Sequence, residues 1–129
     1  MANPDITAVN NLYGGNAGWN LGNSETKLME VDSGHICKIN TILVANVDGN
    51  NSADVTLSVQ GMGSGNDGVT TTGADATIYL AKTVPVPADS TLSILDAPIY
   101  LMEADELHGG ASAASDLDLF ISFETIDVA

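Results

Sequence analysis

Two histidines, one cysteine and a surplus of carboxylates are the side chains in this 129-residue chain whose chemistry could serve a site. His35 follows Gly34, and His108 stands in a Gly-flanked stretch far along the chain. Neither forms a recognisable nucleophile motif with Cys37. Two histidines and one cysteine would need a carboxylate to complete a closed zinc site. Cys37 has no second cysteine to bridge to, and in the apolar run Ile36-Cys37-Lys38-Ile39 it reads as a small hydrophobe. Gly63-Ser64-Gly65-Asn66-Asp67-Gly68 satisfies the dinucleotide pattern G-x-G-x-x-G, which works only between a strand and a helix whose N-terminus meets the pyrophosphate. Here Val69-Thr70-Thr71-Thr72-Gly73 follows, β-branched and without a helical face, so Gly61 to Ala76 reads as a long loop of the kind that often forms a contact surface. Asp116-x-Asp118 and Asn66-Asp67-Gly68 are oxygen-rich, but neither reaches the calcium-loop pattern with its later Glu. Nothing selects a pair of carboxylates for acid–base work. The expectation is no enzyme, no cofactor and no metal.

The charge balance narrows the partners. Asp and Glu number 17 against three lysines (Lys27, Lys38 and Lys82) and no arginine, giving a net charge of −14. Phosphates are held by neutralising them with Arg and Lys, so nucleic acid and anionic membranes are poor partners. The longest apolar runs fall far short of the roughly 18–20 residues of a membrane helix. No basic segment followed by an apolar one opens the chain, so no signal peptide and a cytoplasm-like compartment are expected.

The elements that must position these residues read as strands. Val55-Thr56-Leu57-Ser58-Val59-Gln60 alternates apolar and polar, and Leu117 to Glu124 does the same with Leu117, Leu119, Ile121 and Phe123 on one face. Ile39 to Val47 holds Ile42, Leu43 and Val44 in succession, which predicts a strand covered on both faces, central in a sheet or at a subunit contact. Residues 77–81, 92–95 and 99–102 add shorter runs. Asp48 to Ser52 reads as a hairpin loop, Pro85 and Pro87 as breaks after Val84, Asp96-Ala97-Pro98 as a corner, and Glu103 to Gly110 as a connection. Nowhere do ten residues show helical spacing. The chain is expected to be all-β, a single β-sandwich or jelly-roll-like domain of about seven or eight short antiparallel strands over residues 27–129.

Residues 1–26 are expected to form an extended Asn/Gly-rich N-terminal arm, since no period is visible there. Leu12, Tyr13, Trp19 and Leu21 are large apolar anchors in it. The arm folds back on its own domain or uses these anchors to dock on a neighbouring subunit or shell.

Three stretches carry a resemblance. They are Val44-Ala45-Asn46-Val47-Asp48-Gly49 leading into Ala53 to Val59, then Tyr79 to Ala88, then Ser90-Thr91-Leu92 running through Pro98-Ile99-Tyr100-Leu101 to Asp105. Together with Ala111 to Leu117, this phrasing of strands and turns resembles the small virion structural proteins of tailed bacteriophages, notably those of marine bacteria and cyanobacteria. The resemblance covers roughly residues 36–126. It implies a capsid decoration (cement) protein on the outer surface of the head, assembled in the host cytoplasm, with the major capsid protein and its own copies, commonly as a homotrimer, as partners. The alternative is a neck, tail or fibre component, including a receptor- or glycan-binding module.

Overall fold

A computed structural model describes residues 9–61, 68–72 and 76–128, so the glycine-rich motif at 63–68 and the Asn66-Asp67 pair lie almost wholly outside the described residues. The chain is all-β. Nine strands occur among the described residues: β1 (Val9–Asn20), β2 (Thr26–Glu30), β3 (His35–Asn46), β4 (Ala53–Gln60), β5 (Thr77–Val86), β6 (Thr91–Ser93), β7 (Ile99–Leu101), β8 (Glu106–Ala111) and β9 (Leu117–Val128). Among the described residues there is no helix long and apolar enough to cross a membrane. Five strands make one sheet, sheet A, in the order β1-β9-β3-β6, with β7 also on β3; the other four make sheet B, β2-β8-β4-β5. Every pairing is antiparallel.

Period-two alternation closes the sandwich. Ile39, Ile42 and Val44 of β3 and Leu117, Leu119 and Ile121 of β9 point inward from sheet A. They meet Val55, Leu57 and Val59 of β4 and Leu107 of β8 in one core. Complete burial of a side chain of this size contributes about 1.5–3 kcal/mol, so this layer is the main source of stability. β3 is central, as the apolar run predicts, and within this chain its outer face is only partly covered. A register shift between Ile39 and Thr41 keeps Ile42 and Val44 inside and leaves Leu43 half-buried on the outer side.

Three other expectations differ from what forms. Pro85 does not end its strand: β5 runs on to Val86, because β5 is an edge with only β4 beside it and needs no donor on its free side. Glu103 to Gly110 is not all connection, since β8 occupies a central place in sheet B from Glu106. Its glycines serve close packing and not a turn. A Cβ on Gly109 would stand 2.7 Å from Leu57 Cδ2 and 2.9 Å from Leu28 Cδ1, and one on Gly110 would stand 2.7 Å from the Ser24 carbonyl oxygen. Lastly, residues 9–20 of the expected arm are an edge strand, in register with β9 from Asn11 to Asn20. Phe123 explains part of that composition: its ring lies over Gly15, where a Cβ would fall 2.8 Å from Cε2.

The connection at 48–52 is built on the buried Asn46. Its amide nitrogen donates to the carbonyls of Asn51 and Val86, each at 2.9 Å, and its oxygen accepts from the Asp48 N–H at 2.9 Å. One side chain thus ties the β3–β4 turn to the end of β5.

The two glycine sites predict opposite outcomes. Gly110→Ala places a methyl group against backbone that cannot rotate away, and should lower the urea-unfolding free energy by about 1–3 kcal/mol. Gly14→Ala meets nothing within 4 Å and should leave it unchanged or slightly raised.

Candidate interaction face

The outward side chains of sheet A follow from the registers. Leu12, Ile126 and Ile36 form one cross-strand row over β1, β9 and β3. Gly14, Glu124, Lys38 and Tyr100 form the next, the last on β7. Further along lie Asn16 and Ser122, then Gly18, Phe120, Leu43 and Ser93, then Asn20, Asp118, Ala45 and Thr91. Around Phe120 and Leu43 the surface dips into a shallow depression of about 530 Å³, floored by Gly18, Ala45 and Thr91. Phe120 is 44% exposed and Tyr100 54%. The charges on this face are few and matched. Lys38 stands opposite Glu124, which also accepts from Asn40 at 3.2 Å, and Asp118 accepts from Asn20 Nδ2 at 2.8 Å.

Sheet B turns a different face to water. Its outward positions carry the Lys27–Glu30 ion pair at 2.7 Å, Glu106 with His108 at 2.8 Å, Asp54, Thr56 and Gln60. Tyr79 is the large ring there, with Lys82 Nζ 4.9 Å from its centroid. The remaining carboxylates crowd the connections, among them Glu25, Asp32, Asp48, Asp89, Asp96, Glu103 and Asp116. Sheet A therefore presents the apolar, weakly charged side of an acidic molecule.

The four expected anchors do not form one patch. Leu12 is exposed on the outer face, and Tyr13 is exposed on the opposite side of β1. Trp19 shares the phase of Tyr13 and packs half-buried against the core. Leu21 is a core residue, 2% exposed, whose N–H donates to the Leu117 carbonyl at 2.8 Å. Phe120, Leu43 and Ile126 were not singled out as surface residues. The signal for Phe120 was available: it occupies a polar-phase position in an alternating strand whose inward members are Leu117, Leu119, Ile121 and Phe123.

The reactive side chains are placed as follows. His35 and Cys37 share a phase of β3 and line a cavity of about 300 Å³ at one end of the sandwich. His35 Nδ1 bonds the Ser33 carbonyl at 2.8 Å, and Nε2 lies 3.5 Å from Asp127 Oδ1. Burial pushes the Cys37 thiol up to about 11, which keeps it protonated at neutral pH and makes it a poor nucleophile. His108 is on β8, in the other sheet. Among the described residues no group of three or more His, Cys, Asp or Glu is placed to hold a metal ion. Asp118 is an outward strand residue bonded to Asn20.

Asp105 is the buried carboxyl, 5% exposed, in the turn before β8. Oδ2 accepts the Met102 N–H at 2.9 Å, while Oδ1 finds no hydrogen-bond partner among the described residues. Burial raises its pKa and the Met102 bond lowers it, with burial the larger effect.

No family model matches the chain, and no curated protein matches it significantly. A solved structure from work on Bacillus endospore appendages, described as a novel family of disulfide-linked pili, is similar over 92% of this chain and 88% of that chain. The identity is 12% and the TM-score 0.49, a likeness that carries no functional argument.

The Asp105 carboxyl gives a signed pH effect. Its folded pKa is raised, so its protonated form favours the fold below the ordinary carboxylate pKa, and that contribution is lost as pH rises through the folded value. Asp105→Asn keeps an acceptor for Met102 and removes the charge. Urea melts should show the variant more stable than the parent at pH 7, with the difference shrinking toward pH 3.

Proposed function

We propose that this chain is a virion structural protein, a capsid decoration subunit that seats the outer face of sheet A on the major capsid protein. The carrying observation is the row structure of that face. Leu12, Phe120 and Tyr100 are exposed, and Leu43 and Ile126 half-buried, on the outer side of one sheet of a chain with net charge −14. Large apolar groups turned to water are stabilised by a cover, and the matched charges beside them can be buried with their partners in place. The resemblance of residues 36–126 to phage virion proteins supports the same reading. Its role is structural and not catalytic, and its carboxylate-rich connections keep coated particles apart. Copies of the chain and the shell protein are its partners, on the outside of a head assembled in the host cytoplasm.

Removing residues 1–26 would be a poor test of docking, because it deletes β1 and the core residue Leu21. Phe120→Asp and Tyr100→Asp are better, since both side chains are exposed on the outer face. Each should cut occupancy on purified phage heads at least tenfold while shifting stability by about 1 kcal/mol or less. Quantified copy number separates the alternatives. Hundreds per particle support decoration, a dozen or fewer a neck, tail or fibre position, and absence from particles overturns the reading.

A further inference from the structure

Among the described residues the sandwich has four free strand edges, and three are defended against pairing. β5 carries Lys82 and Pro85, two register shifts against β4, and Thr83 at φ 49. β2 is five residues long, with Lys27, Glu30 and a register shift. β6 and β7 are three residues each. Short length, charge, proline and bulges are the means by which edges avoid adding foreign strands. β1 has none of them over most of its length. It spans 12 residues without Lys, Asp, Glu or Pro, and its register shift is confined to Val9/Asn11. Among the described residues its neighbour is β9 alone.

The composition of this edge names what covers it. Tyr13-Gly14-Gly15-Asn16-Ala17-Gly18-Trp19 reads the same in both directions as aromatic, glycine, small, Asn, small, glycine, aromatic. An antiparallel pairing of two identical strands about a two-fold axis sets each residue against its mirror position. With the axis at Asn16, Tyr13 faces Trp19, Gly14 faces Gly18, Gly15 faces Ala17 and Asn16 faces itself. We propose that β1 pairs antiparallel with β1 of a second copy of this chain, centred on Asn16, joining two A sheets into one. Tyr13 and Trp19 lie on the same side of the strand, so each exposed Tyr13 gains a cross-strand aromatic partner. The facing Gly14 and Gly18 put no bulky side chains beside one another on the outer face. The seam also suits two molecules of charge −14, since the strand itself is neutral. Of the nearby β9 carboxylates, Asp118 and Asp127 accept hydrogen bonds from Asn20 and Asn11. What repulsion remains is long-range and screened by salt. This contact is a two-fold one and stands whether or not the chain coats a capsid.

Sedimentation equilibrium of the full chain, run over a concentration series, should show a dimer that strengthens between low salt and about 0.5 M salt. Asn16→Lys places like charges on the axis and should weaken the dimer at least tenfold while melting and circular dichroism stay those of the parent. Asn16→Cys should form a disulfide-linked dimer on mild oxidation. Leu12→Cys should not, because position 20 and not 12 stands opposite, about 27 Å along the strand at ~3.4 Å per residue. The buried Cys37 does not compete. A monomer at every concentration, as a strand from another protein would leave it, overturns the proposal. So does a trimer or dimer indifferent to Asn16→Lys, or equal cross-linking at positions 12 and 16. Phe120→Asp should leave the dimer intact, which separates failure here from failure of the docking reading.

Discussion

The strand β9 is the member on which the rest of the molecule depends, because it is paired on both sides along nearly its whole length. It takes β1 from Asn11 to Asn20 on one side and β3 from His35 to Asn46 on the other, and its inward side chains fill the middle of the core. A strand in that position must satisfy two ladders and one hydrophobic layer at once. A slip of one residue would turn Leu117, Leu119 and Ile121 to water. The first and last strands are thereby held side by side in sheet A, and sheet B closes over them. Because these pairings join distant parts of the chain, the fold has to form them against a large loop-closure entropy, and its stability rests on non-local contacts.

That arrangement explains which parts were legible in the sequence. β4 and β9 announced themselves because each has water on one face and core on the other, so their side chains alternate cleanly. β1 and β8 did not. In the middle of β1 the positions are taken by Gly, Asn and Ala, and at Gly15 an aromatic ring of β9 occupies the space that a side chain would fill, since Phe123 lies over it. A strand whose apolar cover comes from its neighbour has no period of its own. In β8 the pair Gly109-Gly110 has the composition of a turn, yet it marks the place where Leu57, Leu28 and the Ser24 backbone come closest. Gly is compatible with both uses, and only the neighbours distinguish them.

The candidate face was less legible than the fold, for a related reason. Its apolar residues come from β1, β3, β7 and β9, and no two strands of that set are adjacent in the chain. Sequence proximity instead grouped Leu12, Tyr13, Trp19 and Leu21, which the pleat sends to different surroundings: one outward, two inward along the edge, and one into the core. In a strand, neighbours in sequence are on opposite faces, so a cluster of anchors in one segment is seldom a cluster in space. The out-of-phase aromatic Phe120 is the more informative kind of signal, since it departs from a pattern that is otherwise obeyed.

Charge then decides where such a molecule can be approached. The carboxylates are gathered in the connections at the ends of the sandwich, where water solvates them, and the long edge of sheet A and the face beside it carry few. An acidic chain repels its own copies and other acidic surfaces over about a Debye length, so close contact is least opposed where fixed charge is sparse. β1 lies on the boundary of both neutral surfaces: its backbone edge is open to a strand and its outward side chains continue the apolar face. Leu12, Gly14 and Gly18 belong to that face, while Tyr13 and Trp19 line the opposite side of the same edge. Pairing at the edge therefore widens the face without covering it, so that association between copies and docking of the sheet are compatible uses of one sequence segment.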